Sequence, residues 1–213
     1  TGGCGFIGSA VIRHLLKDKN NIVINIDKLS YASNTDAVEA SESESYIFIK
    51  DDIINKEKIN EILINYSPNY VIHHAAESHV DRSIDNPISF IESNILGTFN
   101  LLHQCYSYWK NLENKPKDKF KFLFVSTDEV YGSTSDESFS ELSPLRPNSP
   151  YAASKASADL LARSWFKTYN FPIIVSNCSN NYGKWQYPEK LIPLVIKKCI
   201  QNKKIPVYGN GKQ

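Results

Sequence analysis

Apolar residues recur along the chain in two alternating rhythms. Ile7, Val11 and Leu15, with Ala10 and His14 beside them, fall at helical spacing and predict a helix from Gly8 to Lys17. Ile22 to Ile26 is instead a short β-branched run ending at Asp27, the pattern of a buried strand. Tyr46 to Ile49 reads as a second strand. Helical spacing returns from Lys56 to Tyr66 through Ile59, Ile62, Leu63 and Tyr66. Tyr70 to Ile72 predicts a third strand, with Pro68 as a breaker before it. Ile88 to Trp109 reads as one long helix opened by Asn86-Pro87. Phe120 to Val125 follows as an apolar strand, then Pro150 to Tyr169 as a helix, Ile173 to Val175 as a strand and Pro188 to Gln201 as a helix. Alternating strands and helices predict an α/β fold, a doubly wound parallel sheet covered on both faces. Such sheets bind ligands at the carboxyl ends of their strands. The polar clusters lie there: Asp27, Asp51-Asp52, His74 to Arg82, and Ser126 to Glu129.

Composition narrows the function classes. With 24 Lys+Arg against 23 Asp+Glu the net charge is +1, which argues against a chain that coats nucleic acid or an anionic membrane. An apolar fraction of 41% and a charged fraction of 22% suit a soluble globular protein. No apolar run approaches the roughly 18 residues of a membrane span, and no signal peptide is expected. Cys4, Cys105, Cys178 and Cys199 form no Cys-x-x-Cys pair, which disfavours zinc or a disulfide framework and fits a reducing cytoplasm. The chain has no methionine, opens on the turn sequence Thr1-Gly2-Gly3 and stops within Tyr208 to Gln213. The expectation is an internal fragment, truncated at both ends. Glu39 to Ser45 and Asn111 to Lys119 read as solvated loops.

Three constellations carry chemistry. Thr1 to Gly8 places glycines at 2, 5 and 8, so that a tight turn can bring a pyrophosphate to the N-terminus of the following helix. Asp27 stands 19 residues after Gly8, at the end of the next strand, where a carboxylate binds adenine-ribose hydroxyls. A carboxylate there repels a 2′-phosphate, which favours NAD over NADP; the adjacent Lys28 pulls the other way. Tyr151 and Lys155 are spaced i, i+4 on one helix face, and a nearby ammonium lowers a phenol's pKa from about 10 towards neutrality. Tyr151 could then take an alcohol proton while hydride leaves for NAD. Asp128 and Glu129 end an apolar strand, where one carboxyl can serve as acid and the other as base, with Thr127 bonding a sugar oxygen. Without the surrounding pattern these would read as a glycine turn, an amphipathic helix and a solvated acidic pair. Cys4 has an alternative reading as a reactive thiol at a helix N-terminus. His73 and His74 point to opposite faces of a strand, so no metal site is expected from them and His79.

These residues together resemble the extended short-chain dehydrogenase/reductases that act on nucleotide sugars, and within them the 4,6-dehydratases. The resemblance rests on Asp27 to Ala32, Ala75 to Ser83, Ser126 to Gly132, Ser149 to Ser157, Asn177 to Gly183 and Pro188 to Pro193, and runs through essentially the whole chain. The specific element is Asp128-Glu129, where epimerases of the group usually carry small residues. The resemblance implies NAD bound by Gly2, Gly5, Phe6, Ile7, Gly8, Asp27, Lys28, Leu29, Ser30, Asp52, Ile53, Ala75, Ala76, Ser78, Ser93, Tyr151, Lys155 and Asn181. It implies a nucleotide sugar, dTDP-glucose, held by Ser78, Thr127, Asn180, Lys190, Leu191, Pro206 and Tyr208. The implied catalytic set is Thr127, Asp128, Glu129, Tyr151 and Lys155: oxidation at C4, loss of water across C5–C6, and hydride return to C6, supplying deoxysugar synthesis. It further implies an NAD-binding domain over 1–176, the beginning of a substrate lobe over 177–213, and a homodimer formed through the helix from Ile88 and the Tyr151 helix. Ser33, Ser93 and Lys184 depart from the family's usual Gly, Thr and Pro. A nucleotide-sugar epimerase or decarboxylase is the nearest alternative activity, and a non-catalytic NAD or sugar-nucleotide binding module the alternative class.

Overall fold

The computed structural model describes residues 1–39, 43–134 and 138–207. Helix α1 (Phe6–Leu15) starts two residues before the predicted Gly8, because the extended Gly5 (φ −77°, ψ 170°) is its N-cap. Strands β1 (Val23–Ile26) and β2 (Tyr46–Ile49) pair in parallel, Val23 opposite Tyr46. Helix α2 (Lys56–Tyr66) is capped by Asn55, whose side chain accepts from the Lys58 amide. Strand β3 (Tyr70–His73) is followed by a short helix α3 (Val80–Asp85).

The predicted single helix from Ile88 is three pieces. A turn α4 (Ile88–Phe90) passes into a π-helical stretch (Ile91–Gly97) and then α5 (Thr98–Lys110). Helical spacing of apolar residues does not distinguish a π turn from an α turn, whereas function often does. A short α6 (Asn114–Lys119) occupies the predicted loop. Strand β4 (Lys121–Thr127), helix α7 (Pro150–Tyr169), strand β5 (Ile173–Cys178) and helix α8 (Leu191–Ile200) complete the order. Ser149 caps α7 by accepting from the Ala152 amide, and Pro150 occupies its first turn.

β3, β4 and β5 form a second parallel sheet in that order, with β4 central. The first two residues stand between the sheets. The Thr1 nitrogen donates to the Ile72 carbonyl (2.8 Å) and its carbonyl accepts from His74 (3.1 Å), while the Gly2 amide donates to Ile26 (2.9 Å). The carboxyl ends of β1 and β3 therefore flank the glycine loop, the point where a doubly wound sheet reverses direction and opens a crevice.

The core lies between the β3–β4–β5 sheet and helices α2, α5 and α7. Phe122 and Phe124 are fully buried against Leu102, Cys105, Ala158, Ala162 and Phe171. The intervening Leu123 and Val125 are only half-buried, and Ile174 stays 52% exposed. Helices α2, α5 and α7 thus close one sheet face fully, and the other face is half-buried at Leu123 and Val125. A smaller cluster of Cys4, Ile12 and Val38 fixes α1 to the β1 side. The chain divides into two compact units, Thr1–Ser179 and Asn180–Gln213.

Candidate functional site

The glycine loop can take the shape it does only without side chains at its turning points. Gly2 has φ +70°, and a Cβ on Gly8 would lie 2.2 Å from the Gly2 carbonyl oxygen. Among the described residues no side chain caps α1, and its first turn holds no acidic residue. Its amides and dipole are therefore available to an anion arriving over Gly5, Phe6 and Ile7. Asn25 holds the loop from beneath, accepting from the Gly3 amide at 3.0 Å and donating to the Tyr46 hydroxyl at 2.9 Å.

Asp27 closes the adenosine side of this crevice. Its buried carboxylate accepts from the Cys4 amide (2.9 Å), the Leu29 amide (2.8 Å) and the Ser33 hydroxyl (3.0 Å). Leu29 adopts the left-handed φ of +60° to make that bond, and the half-buried Ser30 accepts from Ser33 through its backbone. Ser33, a departure from the expected Gly, thus helps to orient the carboxylate. Lys28 does not stand ready for a 2′-phosphate, since its ammonium pairs with Asp52 (3.5 Å) and Glu77 (3.9 Å). Ile53 is buried behind Asp52, and its carbonyl accepts from Asn100 at 2.6 Å. The reactive-thiol reading of Cys4 does not hold: burial, then the Asp27 carboxylate, pushes the thiol up to about 11.

On the far side of the crevice β4 and α7 bring five predicted residues together. Thr127 ends β4, donates to Asp128 (3.3 Å), accepts from the Glu129 amide (3.3 Å) and hydrogen-bonds Tyr151. Tyr151 and Lys155 are both buried on α7. Spacing alone suggested that Lys155 lowers the phenol's pKa, yet the phenol is held well above its ordinary value. Burial is the main cause, followed by the Glu129 carboxylate, with the Thr127 bond opposing. Lys155 points instead at the sheet, donating to the Val125 carbonyl at 2.8 Å and lying 4.5 Å from the centre of the Phe124 ring. Burial pulls its ammonium down to about 8, opposed by Cys178 and Asp159.

Several residues that periodicity could not single out hold this arrangement. Asn94, in the π-helical stretch, accepts from the Glu77 amide (2.8 Å) and donates to the Glu77 carbonyl (2.9 Å) and the Ser154 hydroxyl (2.8 Å). It ties Ala75, Ala76 and Glu77 to the Tyr151 helix, with Ser93 buried beside it. Ser83 accepts from the Tyr151 amide at 3.1 Å. Asp159, one turn beyond Lys155 and fully buried, pairs with Arg163 and accepts from Asn177 at 3.1 Å; Asn177 also donates to the Thr127 carbonyl at 3.3 Å. The Lys155-x-x-x-Asp159 spacing carried no sign of these partners.

His73 bonds Thr1 (2.9 Å) and Thr98 (2.9 Å) through its two ring nitrogens, which gives it a structural place under the loop. Ser78 is exposed after Ala76. Asn180, Asn181, Lys190, Leu191 and Pro206 belong to the second unit. There the Asn181 carbonyl accepts from Gln186 (3.0 Å), Lys190 caps α8, and Leu191 and Pro206 are exposed. Tyr208 lies outside the described residues. No helix among the described residues is long and apolar enough to cross a membrane.

The pattern of the GDP-mannose 4,6 dehydratase family matches residues 1–213. The chain is 48% identical, over its whole length, to the dTDP-glucose 4,6-dehydratase of Neisseria meningitidis, and spans 61% of that relative. It superposes with a TM-score of 0.90 on a double mutant of the dTDP-glucose 4,6-dehydratase DesIV of Streptomyces venezuelae, crystallised with NAD, at 39% identity. That match covers 99% of this chain and 64% of DesIV. A UDP-glucuronic acid 4-epimerase of Bacillus cereus, also crystallised with NAD, matches with a TM-score of 0.88 at 28% identity, covering 100% of this chain and 65% of the epimerase.

Proposed function

The chain belongs to the GDP-mannose 4,6 dehydratase family, and from that premise we propose that its protein is an NAD-dependent dTDP-glucose 4,6-dehydratase. The observation that carries the reading is the meeting of Tyr151 with Thr127, Asp128 and Glu129 at the end of β4. An epimerase needs only the phenol and the hydroxyl. Two carboxylates beside them supply what removal of water requires. The relatives named above support the same choice, the dehydratases at 48% and 39% identity and the epimerase at 28%.

The glycine loop, the free end of α1 and the anchored Asp27 fit a dinucleotide, with Gly2, Gly5, Phe6, Ile7 and Gly8 at the pyrophosphate. Asp27 to Ser30, Asp52 and Ile53 would hold the adenosine, and Ala75, Ala76, Ser78, Ser93 and Asn181 the nicotinamide side. NAD⁺, when bound, accepts hydride from C4 of the sugar and later returns it to C6, so it ends each cycle oxidised. Tyr151 takes the proton of the 4-hydroxyl, with Thr127 bonding that oxygen. The Thr127 hydrogen bond opposes the burial that otherwise holds the phenol protonated. The resulting ketone acidifies C5–H, and Glu129 removes that proton. Asp128 protonates the departing 6-hydroxyl, and water leaves. Glu129 then gives its proton back to C5 as hydride arrives at C6. Each acid or base contributes about 10²–10⁴-fold.

Residues 1–176 would form the cofactor domain and 177–213 the first part of a substrate lobe, with Ser78, Asn180, Lys190, Leu191, Pro206 and Tyr208 on the nucleotide sugar. A homodimer is supported by exposed Ile88, Leu96 and Phe99 on one helical run and Leu160 and Phe166 on α7; a monomeric mass in solution would reject it. A cytoplasmic site is supported by the four unpaired cysteines. The activity test is incubation of the full-length protein with dTDP-glucose or UDP-glucose and catalytic NAD⁺, read by mass spectrometry. Loss of one water from the thymidine sugar is expected. A product of unchanged mass and inverted C4 would make the protein an epimerase.

A further inference from the structure

Two side-chain contacts cross the crevice from the β1 side to the β3 side. Lys28 reaches Glu77 at 3.9 Å, and the Arg82 guanidinium lies 3.6 Å from the centre of the Tyr31 ring. Tyr31 follows Asp27 in the segment after β1, and Arg82 belongs to α3, after β3. The glycine loop is bonded to Ile26 on one side and to Ile72 and His74 on the other. A contact between the two outer segments therefore spans the groove that the loop floors. We propose that Tyr31 and Arg82 form a latch over this groove that retains the dinucleotide through the catalytic cycle.

The inference rests on the proposed NAD-dependent reaction, whose chemistry makes retention necessary. Hydride leaves C4 and must return to C6 of the same sugar. If the reduced cofactor escaped between the two transfers, the enzyme would strand a 4-keto sugar and lose its hydride. A guanidinium over an aromatic face is suited to this work, because it is attractive in partial exposure yet breaks without disturbing the core. Arg82 is exposed and Tyr31 half-buried, so neither is a core element.

The test uses the full-length protein loaded with NADH. Release is followed as the loss of bound-NADH fluorescence on mixing with excess NAD⁺, and melting temperatures check that the variants are folded. Arg82→Ala and Tyr31→Ala are expected to release NADH roughly three- to thirtyfold faster, the span of one such contact. The double variant should be no faster than the faster single one, and Tyr31→Phe, which keeps the ring, should stay within about twofold of wild type. Turnover of dTDP-glucose by Arg82→Ala should decay unless NAD⁺ is added. Unchanged release in Arg82→Ala, or Tyr31→Phe as leaky as Tyr31→Ala, overturns the latch. A wild-type protein that binds no NADH overturns instead the cofactor reading beneath it.

Discussion

His74 follows β3 with both ring nitrogens buried and, among the described residues, no partner for either. Burial, helped by the Lys155 ammonium, pulls its pKa from 6.5 to about 3. The orphaned imidazole has two consequences for stability. Near pH 7 it leaves polar atoms dry, which costs about 1–3 kcal/mol. In acid the unfolded chain gains a proton that the folded chain refuses, so stability is full above about pH 6.5 and falls until about pH 3. At pH 5 this linkage costs about 2 kcal/mol relative to pH 7. Leucine is close to imidazole in volume and needs no hydrogen bond. His74→Leu is therefore expected to raise the unfolding free energy by about 1–3 kcal/mol near pH 7. The advantage should widen by about 2 kcal/mol at pH 5. His73, whose pKa is also depressed by burial, is present in both proteins and cancels in the comparison. Urea unfolding at the two pH values, with unchanged m-values, measures both terms. A variant less stable than wild type at pH 7, or a gap that does not grow on acidification, would refute the reasoning.

Three further outcomes are expected. Gly8→Ala places a methyl carbon 2.2 Å from the Gly2 carbonyl, so it should abolish NAD binding in calorimetry. Asp128→Asn should lower water loss by about 10²–10⁴-fold while reduction of bound NAD⁺ on adding substrate, read at 340 nm, persists; unimpaired turnover would point to the epimerase reading. Asp159→Ala removes the acceptor of Arg163 and Asn177 and should destabilise the fold by about 1–2 kcal/mol, since the half-exposed Arg163 is resolvated, seen as a lower urea midpoint.

What could be read from the chain is what adjacency in sequence decides. Apolar residues at periods of two and 3.6 gave the alternating strands and helices because burial of one face is a local pattern. The span of α2 and α7 agrees residue for residue with that pattern. The glycine spacing is equally local, since Gly2 and Gly8 are constrained by the backbone of their own loop. Asp27 was placed by the end of a strand, and Tyr151 and Lys155 by one turn of one helix.

The tertiary structure decided what depends on partners distant in sequence. Asn94 looked like any polar residue in a long helix, yet a π-helical stretch sets its amide between Glu77 and Ser154. Asp159 and Asn177 become a bridge to Thr127 only when α7 and β5 lie beside β4. Cys4 and Tyr151 show the same limit in their chemistry. Helix position and a neighbouring lysine suggested lowered pKa values, whereas burial and the carboxylates of Asp27 and Glu129 raise both. Periodicity reports which face of an element is apolar. Desolvation and the field of non-local charges exist only once the elements have packed, and these set the protonation and the partners of the site.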